Sequence, residues 1–87
     1  MAQTIEIGLD GKVVAVPPEV VSALAAAAAA RAGISERHRD LSLHLSRALE
    51  SGHANLGQGE MRALLAVLEE QHPDLGAAVA ELRQAVA

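Results

Sequence analysis

The sequence predicts an α+β protein, mainly α: an N-terminal β-hairpin followed by about four short helices in a small bundle. Three observations lead there. Asp10-Gly11 stands between the apolar-rich runs "TIEIGL" and "KVVAV", the pattern of a two-residue type I′ turn. Behind Pro17-Pro18 comes "SALAAAAAARAG", residues 22–33, and alanine has the highest intrinsic helix propensity. The remaining residues fall into stretches with apolar side chains three and four apart, broken at Gly52 and at His72-Pro73, as amphipathic helices require.

A two-residue loop sets the hairpin register. It pairs Leu9 with Lys12, Ile7 with Val14 and Ile5 with Val16, while Glu6 opposite Ala15 and Gly8 opposite Val13 occupy the other face. An isolated hairpin is marginal in water. This one must therefore lie on helices or pair its edges with strands of another chain.

Pro18 suits the first position of a helix, and Glu19 suits its first turn. The helix is expected over 18–32, with Arg31 at the end of the dipole that favours cations and Gly33 as a left-handed C′ residue. It carries too few polar residues to define a solvent face, so it is expected to be covered on more than one side. Small side chains let neighbouring backbones approach closely.

A second helix is expected over 36–51, between Ser35 as N-cap and Gly52. Leu41, Leu43 and Leu45 alternate with Ser42 and His44 as a half-buried strand would. The helix is preferred because Leu41, Leu45, Ala48 and Leu49 share one helical face. Leu43 is then left on the wrong side, as a candidate contact residue.

The third helix starts with Gly57 as N-cap, Glu60 reaching back as in a capping box, and Leu56 packing on Met61 as a hydrophobic staple. Its stripe is Met61, Leu64, Leu65 and Leu68, and His72-Pro73 stops it. A fourth, about 73–86, carries Leu75, Val79, Leu82 and Val86 at spacings of four, three and four.

The 87 residues allow one domain, with the hairpin in 1–17 and the helical part in 18–87. A chain of this size hides only about 60 to 65% of its unfolded surface. Much of the 51% hydrophobic fraction is alanine, whose methyl is worth about 0.8 kcal/mol when buried against roughly 1.5–3 kcal/mol for Leu, Val, Ile or Met. The core is thin, and self-association would relieve it.

Seven Lys and Arg against eleven Asp and Glu leave a net charge of −4, which argues against nucleic acid, whose binding is dominated by clustered cations. Without Phe, Tyr or Trp there is no stacking platform for single strands. With no cysteine there is no disulfide framework and no thiolate metal site. The N-terminus lacks the basic and apolar regions of a secretory signal, and the longest apolar stretch, 20–30 with Ser22 inside it, is far short of the roughly 20 residues that span a bilayer. A cytoplasmic location, or one within a phage particle, is expected, and no membrane association.

The four histidines, His38, His44, His53 and His72, include no pair at the four-residue spacing of a helical metal site. "LGQGE", 56–60, sets two glycines before a helix but brings no Walker lysine or dinucleotide fingerprint. "RHR" at 37–39 with Arg47 is the one basic cluster, diluted by Glu36 and Asp40. Ser22, Ser35, Ser42, Ser46 and Ser51 have simpler roles as surface or capping residues. No enzymatic activity, catalytic residue, metal or cofactor is expected.

The stretch "GKVVAVPPEVVSAL", Gly11 to Leu24, resembles AbrB/MazE-type swapped-hairpin regulators: a glycine, a basic residue, a valine pair, a proline, an acidic residue and a hydrophobic helix start. Relative to that pattern Ala15-Val16 is an insertion, and Val21 stands where an arginine is common. The resemblance implies a dimeric transcription regulator or antitoxin, with Lys12 at the DNA-facing basic position.

The residues themselves lead to a different expectation: a non-enzymatic structural or interaction protein. It would self-associate as a homo-oligomer, or dock on a larger bacterial or phage assembly, through its hairpin edge and alanine-rich helix. The candidate partner-binding residues are Ile5, Ile7, Val14, Val16, Val20, Leu24, Ala27 and Leu43.

Overall fold

In the computed structural model, which describes residues 4–86, Asp10 and Gly11 take φ of +48° and +96°. Two positive φ values are what a type I′ turn demands. The turn joins β1 (Ile5–Leu9) to β2 (Lys12–Val16) in the antiparallel register read from the sequence, from Leu9 opposite Lys12 to Ile5 opposite Val16. Ile5, Ile7, Leu9 and Val16 are buried and Val14 packs against them half-buried, whereas Glu6, Val13 and Ala15 face outward.

The hairpin is not the whole sheet. Residues His53–Leu56 form a third strand, β3, parallel to β1, in the order β2-β1-β3. β1 is thus the central strand, so of the hairpin edge expected to meet a partner only the β2 side stays open. The pairing starts where the Glu6 amide donates to the Gly52 carbonyl at 2.9 Å. It sets Ala54 and Leu56 beside Ile7 and Leu9 on the buried face, and His53 and Asn55 beside Glu6 and Gly8 on the open one.

Between β2 and β3 the chain makes two helices, α1 (Pro18–Ala30) and α2 (Glu36–Ser51). Pro18 opens α1, and the Val20 and Val21 amides donate to the Pro17 carbonyl. Its far end does not use Gly33, which is not left-handed. Instead the Arg31 and Ala32 amides donate to Ala28 and Ala29, and the Ile34 and Ser35 amides to Arg31. Bonds from amides three residues on thereby satisfy the Ala28 and Ala29 carbonyls, near the end of the helix that a left-handed glycine would have helped to close.

The helical alternative holds for residues 40–46. Leu41, Leu45 and Ala48 are buried, and α2 ends where Gly52, at φ +87°, returns its amide to Ala48 at 2.8 Å. Ser35 sits at the N-cap without a side-chain bond. Leu43 is 54% exposed, as expected, but Leu49 is also 41% exposed, at the margin of the buried face and not within it.

α3 (Gln58–Gln71) follows β3 directly, and the Glu60 carboxylate accepts from the Gly57 amide at 3.1 Å. A 3₁₀ turn, Pro73–Leu75, precedes α4 (Gly76–Ala85). Met61, Leu64, Leu65 and Leu68 of α3, Val79 and Leu82 of α4, and Val86 join the sheet face and α1 in one core, with Leu75 half-buried against it. α1 runs against α2 and touches α3. That contact explains why Val20, Val21, Ala23, Leu24, Ala25, Ala27 and Ala28 are all buried.

Candidate interaction surface

Most of the apolar residues expected to meet a partner are consumed by the fold. Ile5, Ile7, Val16, Val20, Leu24 and Ala27 are core residues at 4% exposure or less, and Val14 is half-buried against them. The monomer covers the hairpin's apolar face and most of α1 with its own helices, which corrects the expectation that these side chains await another chain. Leu43 alone among the eight remains fully on the surface.

What stays open on the sheet is backbone. In an antiparallel pair closed by a two-residue turn, the residues that bond across to β1 are Lys12, Val14 and Val16, so the N–H and C=O groups of Val13 and Ala15 point away. No backbone group of the described residues bonds to either from that side. The opposite edge of the sheet, along β3, is closed differently: the Asn55 amide donates to Nε2 of His44 on α2 at 3.0 Å. That bond requires the His44 tautomer with its proton on Nδ1.

Beside β2 the outer sheet face is polar except for Val13, 66% exposed, and Ala15. Asn55 lies over Gly8, where a Cβ would come 2.5 Å from its Oδ1. The face continues into an open cleft of about 700 Å³ lined by Asp10, Lys12, Val13, Arg37, Asn55 and Glu60, among others.

The charges of this cleft are engaged within the fold. Asp10 accepts from the Gln58 amide at 2.9 Å, capping α3 from the hairpin turn. Lys12 donates to the Ala85 carbonyl at 2.8 Å. Arg37 grips Glu60 through two guanidinium hydrogen bonds, one of them Nη2 to Oε1 at 3.0 Å. The Arg37 bonds hold the Glu60 carboxyl below its ordinary range, helped by the Gly57 amide and opposed by burial. The same bonds raise the Arg37 guanidinium above its own.

A second uncovered region is the outer face of α2. Leu43 is flanked one turn away on either side by Arg39 and Arg47, and two turns away by Glu36 and Glu50, all exposed. None of these four charges forms an ion pair among the described residues, whose pairs are Arg37 with Glu60 and Arg83 with Glu69.

The sequence signal for the open edge was present but incomplete. The Asp10-Gly11 turn implies which residues of β2 point outward, yet only the position of β3 tells which strand keeps a free edge. Nothing in the local sequence announces that Asp10 caps α3.

Among the described residues no three His, Asp or Glu side chains gather as a metal site, and no helix is long and apolar enough to cross a membrane. In comparisons with protein-family models, with curated proteins and with solved structures, nothing matches this chain.

Proposed function

We propose that this protein is a non-enzymatic interaction module that self-associates along β2, as a component of a larger protein assembly. The observation that carries the reading is the free edge at Val13 and Ala15, with the exposed Val13 side chain beside it. A second β2 laid antiparallel, with its Val14 opposite Val14, brings Val13 of each copy against Ala15 of the other. All the outward backbone groups then pair, in four hydrogen bonds, and the three-stranded sheet becomes six-stranded. Main-chain pairing supplies affinity and the adjoining side chains supply selectivity. In this reading α1 is the rigid support of the sheet and not a contact surface.

The test is amide exchange as a function of concentration. Protection of the Val13 and Ala15 amides should rise with protein concentration, in step with the mass in a dilution series. Val13→Lys, at an exposed position, should abolish the rise in protection at these two amides while leaving the helix content intact. Free exchange of these two amides at millimolar protein would overturn the reading. Detection must use refractive index or far-ultraviolet absorbance, because the chain has no Trp or Tyr.

A further inference from the structure

We propose that the outer face of α2 is a second interface between copies of this chain, twofold-symmetric and centred on Leu43. It rests on α2 alone and does not depend on the β2 edge. Leu43 is 54% exposed in the middle of a helix whose opposite side, Leu41, Leu45 and Ala48, is buried. At about 100° per residue, Arg39 and Glu50 fall on one side of Leu43, and Glu36 and Arg47 on the other. These four charges are thus placed symmetrically about residue 43, one Arg and one Glu on each side, and Asp40, also exposed, adds a further carboxylate on the side of Glu36 and Arg47, within reach of Arg47 of a second copy.

This arrangement is self-complementary. A twofold axis passing between two Leu43 side chains, perpendicular to the helices, lays a second α2 antiparallel on the first and keeps each side facing its own kind. Arg39 then meets Glu50 of the second copy, and Arg47 meets Glu36. With a rise of 1.5 Å per residue, each such pair is offset by only about 4.5 Å along the axis, while like charges of these four residues on the same side stand about 12 to 21 Å apart. Four ion pairs thus surround one apolar contact, and none of the four charged residues has a competing ion-pair partner within the described part of the fold. A partner helix of another composition would need this same charge order, which a second copy supplies by symmetry. Exposed pairs of this kind are individually weak and screened by salt, so the contact is of low affinity and fixes geometry. Combined with the β2 edge it gives one subunit two unlike dyads, and copies joined through both alternately form a chain or ring in place of a dimer.

A cysteine-free chain makes the geometry directly testable. In helices packed 8–10 Å apart, residues on the facing line have Cα atoms within disulfide reach. Leu43→Cys should therefore form a covalent dimer under mild oxidation, much faster than Ala66→Cys on the exposed side of α3. The double reversal Arg39→Glu with Arg47→Glu should weaken association at least about tenfold at low salt. Mixing it with the reversal Glu36→Arg, Glu50→Arg should restore association as a heterodimer. Each experiment is run with and without Val13→Lys, so that loss through β2 and loss through α2 are read separately. Equal cross-linking rates for the two cysteine variants, or association unchanged by charge reversal, would overturn the proposal.

Discussion

α1 and α2 are adjacent helices of similar length that solve opposite problems. Of the thirteen residues of α1 seven are buried, against three of the sixteen in α2, so α1 behaves as an interior element and α2 as a cover. The alanines make this possible: side chains of one methyl leave room for both α2 and α3 to pack against α1. α2 reaches the same contact with two leucines and an alanine and spends its other face on charge. How many neighbours a helix has, more than its hydrophobicity, decides what its side chains must be.

The sharpest way to break the comparison is within α2 itself. Leu45→Ala, at 0% exposure, should destabilise by about 2–5 kcal/mol. Leu43→Ala, two residues away, should stay within about 0.5 kcal/mol at dilutions where the chain is monomeric. Urea titration of both checks the pair. If α1 is an interior helix, enlarging it must hurt: Ala28→Leu should cost about 1–3 kcal/mol, whereas Ala26→Leu on its exposed side should be close to neutral.

A smaller effect concerns the link from α2 to α3. The folded-state pKa of Glu60 is lowered by its Arg37 bonds, so its contribution is fully present above the unfolded value, 4.5, and is lost as pH falls through the folded one. Glu60→Gln should remove that part of the acid sensitivity, and cost under about 1 kcal/mol at neutral pH through the weakened cap. Thermal melts between pH 7 and pH 3 would show it.

The smallest change is expected at the sheet. Gly8→Ala forces Asn55 Oδ1 aside, but that atom ends a surface side chain free to swing outward, so the penalty should stay under about 1 kcal/mol and vanish in combination with Asn55→Ala. His44→Leu, which removes the acceptor of the Asn55 amide, should speed exchange at that amide and leave global stability nearly unchanged.

Much of the architecture was legible in single stretches of sequence. Asp10-Gly11 specified both the turn and, through its two-residue length, the pairing of every β2 residue. Gly52 and His72-Pro73 ended their helices where local backbone preference required it, and the spacing of Leu41, Leu45 and Ala48 decided helix over strand. β3 was not legible: four residues, His-Ala-Asn-Leu, have weak strand preference and only two alternations, and they become a strand because β1 presents an open ladder to them. Of the candidate surface, Leu43 was readable as the residue out of phase with its helix. The other apolar candidates failed because hydrophobicity marks what must be covered without saying by which chain.

The sequence by itself determined the turn, the helix boundaries other than the end of α1 and the start of α4, and which side of each amphipathic element seeks the core. These follow from backbone preferences and residue spacing, which act over a few residues. Only the tertiary structure decided that β1 lies between two strands, that α1 is enclosed, and that β2 keeps an open edge while the outer side of α2 stays exposed. Those outcomes depend on contacts between distant segments, whose free energy exists only once the segments meet.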